Sequence, residues 1–365
     1  MSNLNDTRKK INAIDKEMAK LFVERMNASK EVAEYKMKHG LPIYDRIREE
    51  EVIKQNTELI EEEDLKKYYV MFLQDLMNTS KAYQQELMSG LKVGYSGVPG
   101  AFGYIAARRM FSNANLIAYS DFATAYKACE NGECDIVVLP TENSYAGDVG
   151  TVMDLMFSGS LYVNQMIDLD VVHNLIACDG ATKDSIKKVY SHAQALAQCA
   201  EYIHLNDFEE VEYPNTAMAA KMIAEKGDPT IAAIASIETA ELYNLNVIEK
   251  NINVSRNNTT RFAAFSRVQN LPTKTAKMGE HFILVFTVKN EAGALANALN
   301  IIGSHGFNMR TLRSRPMKEL MWNYYFYVEL DGNINTIDGN DMMKQLSSMC
   351  DRLKLVGAYT SRVYK

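Results

Sequence analysis

Cysteine is scarce. Five residues in 365 are cysteines (Cys129, Cys134, Cys178, Cys199 and Cys350), and none forms a CxxC pair. An odd count without such a pair points away from a disulfide framework and suits a reducing compartment. No apolar run approaches the ~18 residues of a membrane span. The opening MSNLNDTRKK lacks the apolar core of a signal peptide, so a cytoplasmic location is expected, with no membrane partner. Positive charge does not predominate: 40 basic residues face 46 acidic ones, for a net charge of −6 without a basic block. That excludes nucleic acid as the main partner, because phosphate binding wants a concentrated positive field. Disorder and fibres are excluded by a composition of 47% hydrophobic and 24% charged residues. The length implies two to three domains at ~100–200 residues each.

Glycine and proline are nearly absent from residues 1–88, where Gly40 and Pro42 stand at a single break. From Thr7 to His39, Ile11, Ile14, Met18, Leu21, Arg25, Ala28, Val32 and Tyr35 step by three and four, a heptad seam. Asp6 or Thr7 can cap its start, and Gly40 and Pro42 mark its end. A rod of ~50 Å is too long to bury its seam inside one small globule, so pairing with a second copy is expected. Two further helices are predicted, about residues 45–60 and 64–88. Past Leu91, LKVGYSG, NLIAYS, CDIVVLP, KKVYSH, PTIAAIAS and LNVIEK alternate with helical stretches, which predicts an α/β region with a largely parallel sheet. QNLPTKTAK (269–277) reads as a linker. FILVFTV, a helix from Ala292 to His305 and YYFYVEL then give strand, helix, strand in a small third domain.

Several residues could carry chemistry. Arg25 interrupts the seam and is open to two readings, a register-setting charge or part of an anion site. Lys36 lies roughly 20° around and ~16 Å along the rod, so the two cations can converge on one small anion. Arg8 is ~25 Å from Arg25 and off its face, beyond reach of the same site except from an antiparallel partner. Asp45, Arg48 and Glu49 share one helix face, and Ser80 and Gln84 share another. In GYSGVPGAFG the four glycines do not fit GxGxxG, which rejects a nicotinamide site; an anion cradle and a plain tight turn both remain open. Ser191-His192 lacks a GxSxG elbow, and His192 reads more simply as structural.

Residues 4–88 resemble the all-helical chorismate mutases through Arg8, Arg25, Lys36, Asp45, Arg48, Glu49, Ser80 and Gln84. The resemblance implies a homodimer whose long helices pair, with Arg8 donated across the interface. Several cations suit chorismate, which has two carboxylates and an ether oxygen that gains charge as its bond breaks. The rearrangement needs positioning and charge, but no nucleophile or metal.

Residues 91–266 resemble prephenate dehydratase through YSGVPGAF, PTENSYAGDV, SHAQALAQC, NTAMAA, IAAIAS, AELYNL and NNTTRF, in that order. This implies two α/β lobes around a cleft, like periplasmic binding proteins. Thr260 is implied as the acid for the leaving hydroxyl, with Glu142 also catalytic, and Asn143, Ser144, Ser191, Gln198 and Arg261 as substrate contacts; anion binding falls most naturally to Arg261. Two departures are Gly100-Ala101-Phe102-Gly103 in place of Gly-Thr-Phe-Ser, and Ala193 in place of the proline of SHPQ. Gly-Val-Pro-Gly-Ala also resembles the arogenate-using branch.

Residues 280–365 resemble an ACT domain, an α+β ferredoxin-like amino-acid sensor. Gly293, Ala294 and Leu295 match its GAL motif, and Arg313, Ser314, Arg315 and Pro316 stand where ESRP is typical; Asn308 and Trp322 also fit. Phenylalanine as effector is implied, and no metal or organic cofactor. The three regions are expected at 1–88, 91–268 and 280–365. Together they resemble a bifunctional chorismate mutase–prephenate dehydratase of phenylalanine biosynthesis. Two alternatives stand beside it, an arogenate dehydratase and a non-catalytic binder of aromatic metabolites.

Overall fold

The computed structural model describes residues 4–41, 43, 45–253, 258–270, 272, 280–317 and 323–360. Trp322, Asn257 and most of the expected linker lie outside the described residues. The chain divides into two compact units, Met1–Leu91 with Asn113–Asn115, and Lys92–Ser112 with Leu116–Lys365.

The first unit holds three helices, α1 (Leu4–His39), α2 (Arg46–Thr57) and α3 (Glu63–Leu87). At 36 residues, α1 is a rod of ~54 Å that ends where Gly40 turns into the left-handed region at φ 63°. The small residues Ser29 and Ala33 are buried on its inner face, and Leu73 and Met77 are buried on α3. The seam predicted from the heptads is a different face. Ile11, Ile14, Met18, Leu21, Val32 and Tyr35 are each at least 45% exposed.

The second unit opens with a lobe of β1 (Lys92–Ser96), α4 (Phe102–Met110), β2 (Asn115–Tyr119), α5 (Phe122–Asn131), β3 (Ile136–Asn143), β4 (Gly147–Asp148), α6 (Gly150–Ser158) and β5 (Tyr162–Asp170). The chain then crosses to a second lobe of β6 (Asn174–Ala177), β7 (Lys188–Ser191), α7 (Ala193–Gln198), α8 (Ala200–Leu205), β8 (Glu209–Glu212), α9 (Thr216–Lys226), β9 (Ile231–Ala235), α10 (Ile237–Leu242) and β10 (Asn246–Glu249). It returns through β11 (Thr259–Ser266) to the first lobe, between β5 and β3.

Those crossings correct the expectation of a largely parallel sheet. β1–β3, β7–β8 and β7–β9 are parallel, but β11 runs antiparallel to both neighbours, and β6 antiparallel to β9 and β10. A strand returning from the other lobe enters the sheet from the opposite end, which reverses its direction.

The C-terminal part follows as β12 (Glu280–Thr287), α11 (Ala294–Ser304), β13 (Asn308–Pro316), β14 (Tyr324–Asp331), α12 (Ile337–Met349) and β15 (Arg352–Thr360), in sheet order β13-β14-β12-β15. Phe282, Leu284, Phe286, Ile302 and Leu346 are fully buried in its core, at ~1.5–3 kcal/mol each for burial of a large apolar side chain. Its sheet continues into the first lobe, where Gly357 pairs with Val163 of β5. A Cβ on Gly357 would sit 1.9 Å from the Val163 carbonyl oxygen, so only glycine admits this approach.

Candidate active sites

In the helical unit, Arg25 is half-buried between α1 and α3. Its Nη1 donates to Ser80 Oγ and, at 3.4 Å, to the Leu76 carbonyl; Ser80 Oγ donates to the same carbonyl at 2.9 Å. Burial lowers the pKa of the Arg25 guanidinium from its usual value. Two sequence-predicted partners therefore meet. Gln84 lies one turn further along α3, buried, with its Oε1 unbonded among the described residues. Lys36 Nζ donates to the Ile43 carbonyl at 2.5 Å.

Asp45 precedes α2 instead of lying within it, because its carboxylate caps the Arg48 amide at 3.1 Å. Arg48 is exposed and pairs with Glu51 at 3.4 Å, and Glu49 pairs with Lys81 of α3 at 3.1 Å, a partner the motif reading missed. Arg8 lies in the exposed early turns of α1. Beside Arg25 runs an apolar hollow of about 760 Å³ walled by Met18, Leu21, Phe22, Phe72 and Leu76.

In the second unit a cavity of about 330 Å³ opens where the chain crosses between lobes. Strand pairing sets its floor. Thr260 at the start of β11 lies opposite Asn143 at the end of β3, and Arg261 opposite Glu142. Side chains alternate along a strand, so Thr260 and Asn143 line the cavity while Arg261 and Glu142 point to the other face.

Asn143 Nδ2 donates to Thr260 Oγ1 at 2.8 Å and to Asn258 Oδ1 at 2.9 Å; its Oδ1 accepts from the Tyr145 and Ala146 amides at 3.0 and 2.8 Å. Asn258 Nδ2 donates to Gln198 Oε1 at 2.9 Å, and His173 Nε2 lies 2.9 Å from the same oxygen. Gln198 Oε1 is an acceptor, so His173 carries its proton on Nε2 and presents a bare Nδ1, which is buried without a partner among the described residues. Burial lowers the His173 pKa, and the bond to Gln198 only partly opposes it. His173 and Asn258 were not singled out from sequence; a His-Asn pair interrupting the apolar run VVHNLIA was the available signal.

This network fixes Thr260 as an acceptor from Asn143, which frees its own O–H to donate into the cavity. Among the described lining residues there is neither lysine nor arginine. Instead α4, α6 and α9 begin at its wall, at Ala101–Phe102, Val149 and Asn215–Thr216, and first-turn N–H groups and helix dipoles favour an anion there.

Three expected substrate contacts, and the expected catalytic Glu142, lie outside the described lining of the cavity. Ser191 is fully buried and donates to the Ile234 carbonyl at 2.7 Å, tying β7 to β9. Ser144 Oγ accepts the Thr259 amide at 2.9 Å, closing the strand pair. Arg261 is held at 3.0 Å by Asp168 and at 3.4 Å by Glu329, so carboxylates of the protein occupy the group expected to take the substrate's anion. Glu142 is bound by Arg313 at 2.5 Å and approached by Arg261 at 3.9 Å. His192 lines the cavity and also caps α7 through the Gln194 amide at 3.2 Å, as its structural reading anticipated. The glycine loop is a turn. Gly100, at φ 88°, gives its carbonyl to Thr239 Oγ1 at 2.7 Å, and a Cβ there would crowd Thr239 and Leu242.

The residues expected to bind an effector are divided. Gly293 caps α11 in the left-handed region at φ 84°, ahead of Ala294 and Leu295. Asn308 donates to Asp331 at 2.8 Å, and Ser314 is exposed on β13. Arg313 and Arg315 reach instead into the first lobe: Arg313 Nε lies 2.8 Å from Asp148, and Arg315 Nε 3.0 Å from Asp154, which also accepts from Tyr325 at 2.8 Å. Their long side chains extend off β13 toward acidic residues of β3, β4 and α6.

The family profile for prephenate dehydratase matches residues 93–270, and that for chorismate mutase type II matches residues 7–85. A bifunctional chorismate mutase/prephenate dehydratase of Aquifex aeolicus is 30% identical over 366 residues, 98% of each chain. Among solved structures, prephenate dehydratase of Arthrobacter aurescens in complex with L-Phe superposes at TM-score 0.67 with 26% identity, over 74% of this chain and 90% of that one. GqqA, described as a novel type of quorum quenching acylase, superposes at TM-score 0.68 with 28% identity, over 74% of this chain and 98% of that one. Full-length similarity, two family profiles in the same order and a two-lobed cavity floored by Thr260 agree: the chain belongs to the bifunctional chorismate mutase/prephenate dehydratases.

Proposed function

We propose that the chain rearranges chorismate at the helical unit and converts the resulting prephenate to phenylpyruvate in the Thr260 cavity, as a step of phenylalanine biosynthesis. The observation that carries the second step is the Asn143–Thr260 hydrogen bond. As the ring carboxylate leaves as carbon dioxide, its bonding pair moves into the ring and expels the hydroxyl. The Thr260 O–H hydrogen-bonds to that departing oxygen, and the Asn143 N–H stabilises the charge that grows on Oγ1. The acylase reading needs a base at the nucleophile, but the group on Thr260 Oγ1 is an amide donor.

For the first step, Arg25 anchored on Ser80 supplies the central charge, with Lys36 and Arg48 completing the set and Asp45, Glu49 and Gln84 around it. A second copy covers the exposed seam of α1 and donates Arg8. An Arg8→Ala chain mixed with an Arg25→Ala chain then regenerates roughly one competent site per mixed dimer. Mutase activity no higher than either parent, with heterodimers confirmed, contradicts the crossed site.

The C-terminal β-α-β-β-α-β arrangement with its Gly293 turn supports an ACT-type sensor of phenylalanine. Titrating phenylalanine while following phenylpyruvate from chorismate and from prephenate, and carbon dioxide release from arogenate, each separately, tests this reading. Product from the first two, inhibited through a coupling of ~1–3 kcal/mol, is the expected result. Product from arogenate alone assigns the other substrate, no product from any leaves a binder, and full activity at saturating phenylalanine removes the sensor.

A further inference from the structure

Prephenate carries two carboxylates, yet the cavity proposed for it has neither lysine nor arginine among its described lining residues, so uncharged groups carry most of its recognition. The orientation of each side-chain amide then decides whether it presents N–H or C=O. Backbone groups fix that orientation. The Tyr145 and Ala146 amides can only donate, so Asn143 turns its Oδ1 to them at 3.0 and 2.8 Å, and its Nδ2 to Asn258 Oδ1 at 2.9 Å. Asn258 has only Nδ2 left for Gln198 Oε1, at 2.9 Å. That oxygen meets a second neighbour, His173 Nε2, also at 2.9 Å. His173 is the one member of this chain of bonds whose polarity can change, because a neutral imidazole carries its proton on either nitrogen. The residue is 3% exposed, its ring lies edge-on to Phe102, and its Nδ1 has no partner among the described residues. A proton on Nδ1 would leave both ring nitrogens unserved and set a lone pair against Gln198 Oε1. With the proton on Nε2, two donors hold the Gln198 oxygen. The Gln198 NH2, which bonds to no other described residue, is left for the cavity that Gln198 lines.

We infer that His173 is a positioning residue of the dehydratase: in its Nε2–H form it holds the Gln198 amide with NH2 toward the cavity, where that group donates to a substrate carboxylate. This rests on reading the cavity as the prephenate site. Burial lowers the His173 pKa, so at neutral pH the ring acts through the direction of one hydrogen bond and adds no cation to the site.

The test uses the full-length chain with prephenate as substrate and chorismate consumption as an independent control. His173→Phe keeps a flat ring beside Phe102 but removes the donor. It is expected to raise the prephenate KM about tenfold with a smaller change in kcat. His173→Gln can offer an amide N–H in place of Nε2–H, and is expected to return KM to within about threefold of the native value. Gln198→Met deletes the held amide, and in that background His173→Phe is expected to add nothing further to KM. Ring-nitrogen NMR of the native chain, with the His173 signals identified by their loss in His173→Gln, is expected to show the proton on Nε2. An unchanged KM in His173→Phe, or one that His173→Gln leaves as high, overturns the inference; so does a proton on Nδ1. Additive effects of His173→Phe and Gln198→Met on KM also overturn it, and assign His173 to packing where the chain crosses between lobes. If His173→Phe does not fold, Gln198→Met and the NMR still decide, because an unchanged KM in Gln198→Met removes the donor that His173 is inferred to hold. Failure of the underlying reading looks different: the native chain then makes no phenylpyruvate from prephenate at all.

Discussion

Thr260→Val is expected to lower prephenate turnover by about 10²–10⁴-fold, the range for a positioned proton donor. KM should change little, because the O–H acts mainly in the transition state. Valine keeps the shape at the start of β11 but leaves the Asn143 amide without its 2.8 Å acceptor. Thr260→Ser separates the two effects, since it restores the hydroxyl without the methyl. Recovery of turnover in the serine variant, with similar melting temperatures for both, places the loss in the proton donor. Unchanged turnover in the valine variant removes Thr260 from the chemistry.

Arg25→Ala is expected to lower prephenate formation from chorismate by about 10²–10³-fold, the usual loss for one transition-state charge contact. The change also removes the tie from α1 to Ser80 and the Leu76 carbonyl on α3, so some stability is lost as well. Dehydratase activity on added prephenate should survive, because the cavity belongs to the other compact unit. Arg25→Lys retains a charge without the forked geometry and should fall between the two. If both activities decline together with the melting temperature, Arg25 is a structural residue.

Local pattern carried much of the architecture. The step of three and four residues along α1, broken at Gly40, located that helix to within three residues at its start and at His39. The apolar runs located β1, β2, β3, β7, β9 and β10, because each is a buried or half-buried strand flanked by polar turns. What was not legible depends on where the chain returns. The antiparallel ladders of β11 join residues 136–143 to residues 260–266, and no local signal states that pairing.

The site divides on the same line. Thr260, Asn143 and Gln198 were found through their motifs, and the network joins them. Arg261 was expected as a substrate contact beside Thr260, and the two-residue period of a strand puts it on the opposite face. Ser191 looked like a substrate contact because it opens SHAQ, yet its hydroxyl is spent on a neighbouring strand. Arg313 was read by its neighbours in sequence, whereas its partner Glu142 lies 171 residues away.

Mixing the two variant proteins tests the central claim most directly. Arg25→Ala is expected to retain the dehydratase and Thr260→Val the mutase, with prephenate released by one chain and taken up by the other. Supplied with chorismate, each protein alone should form phenylpyruvate at no more than about one-hundredth of the native rate, and the mixture should regain a rate limited by the slower intact site. Phenylpyruvate from the mixture, with prephenate seen first, is the predicted result. A mixture no better than either variant, while each keeps its remaining activity, would contradict two separable sites on one chain.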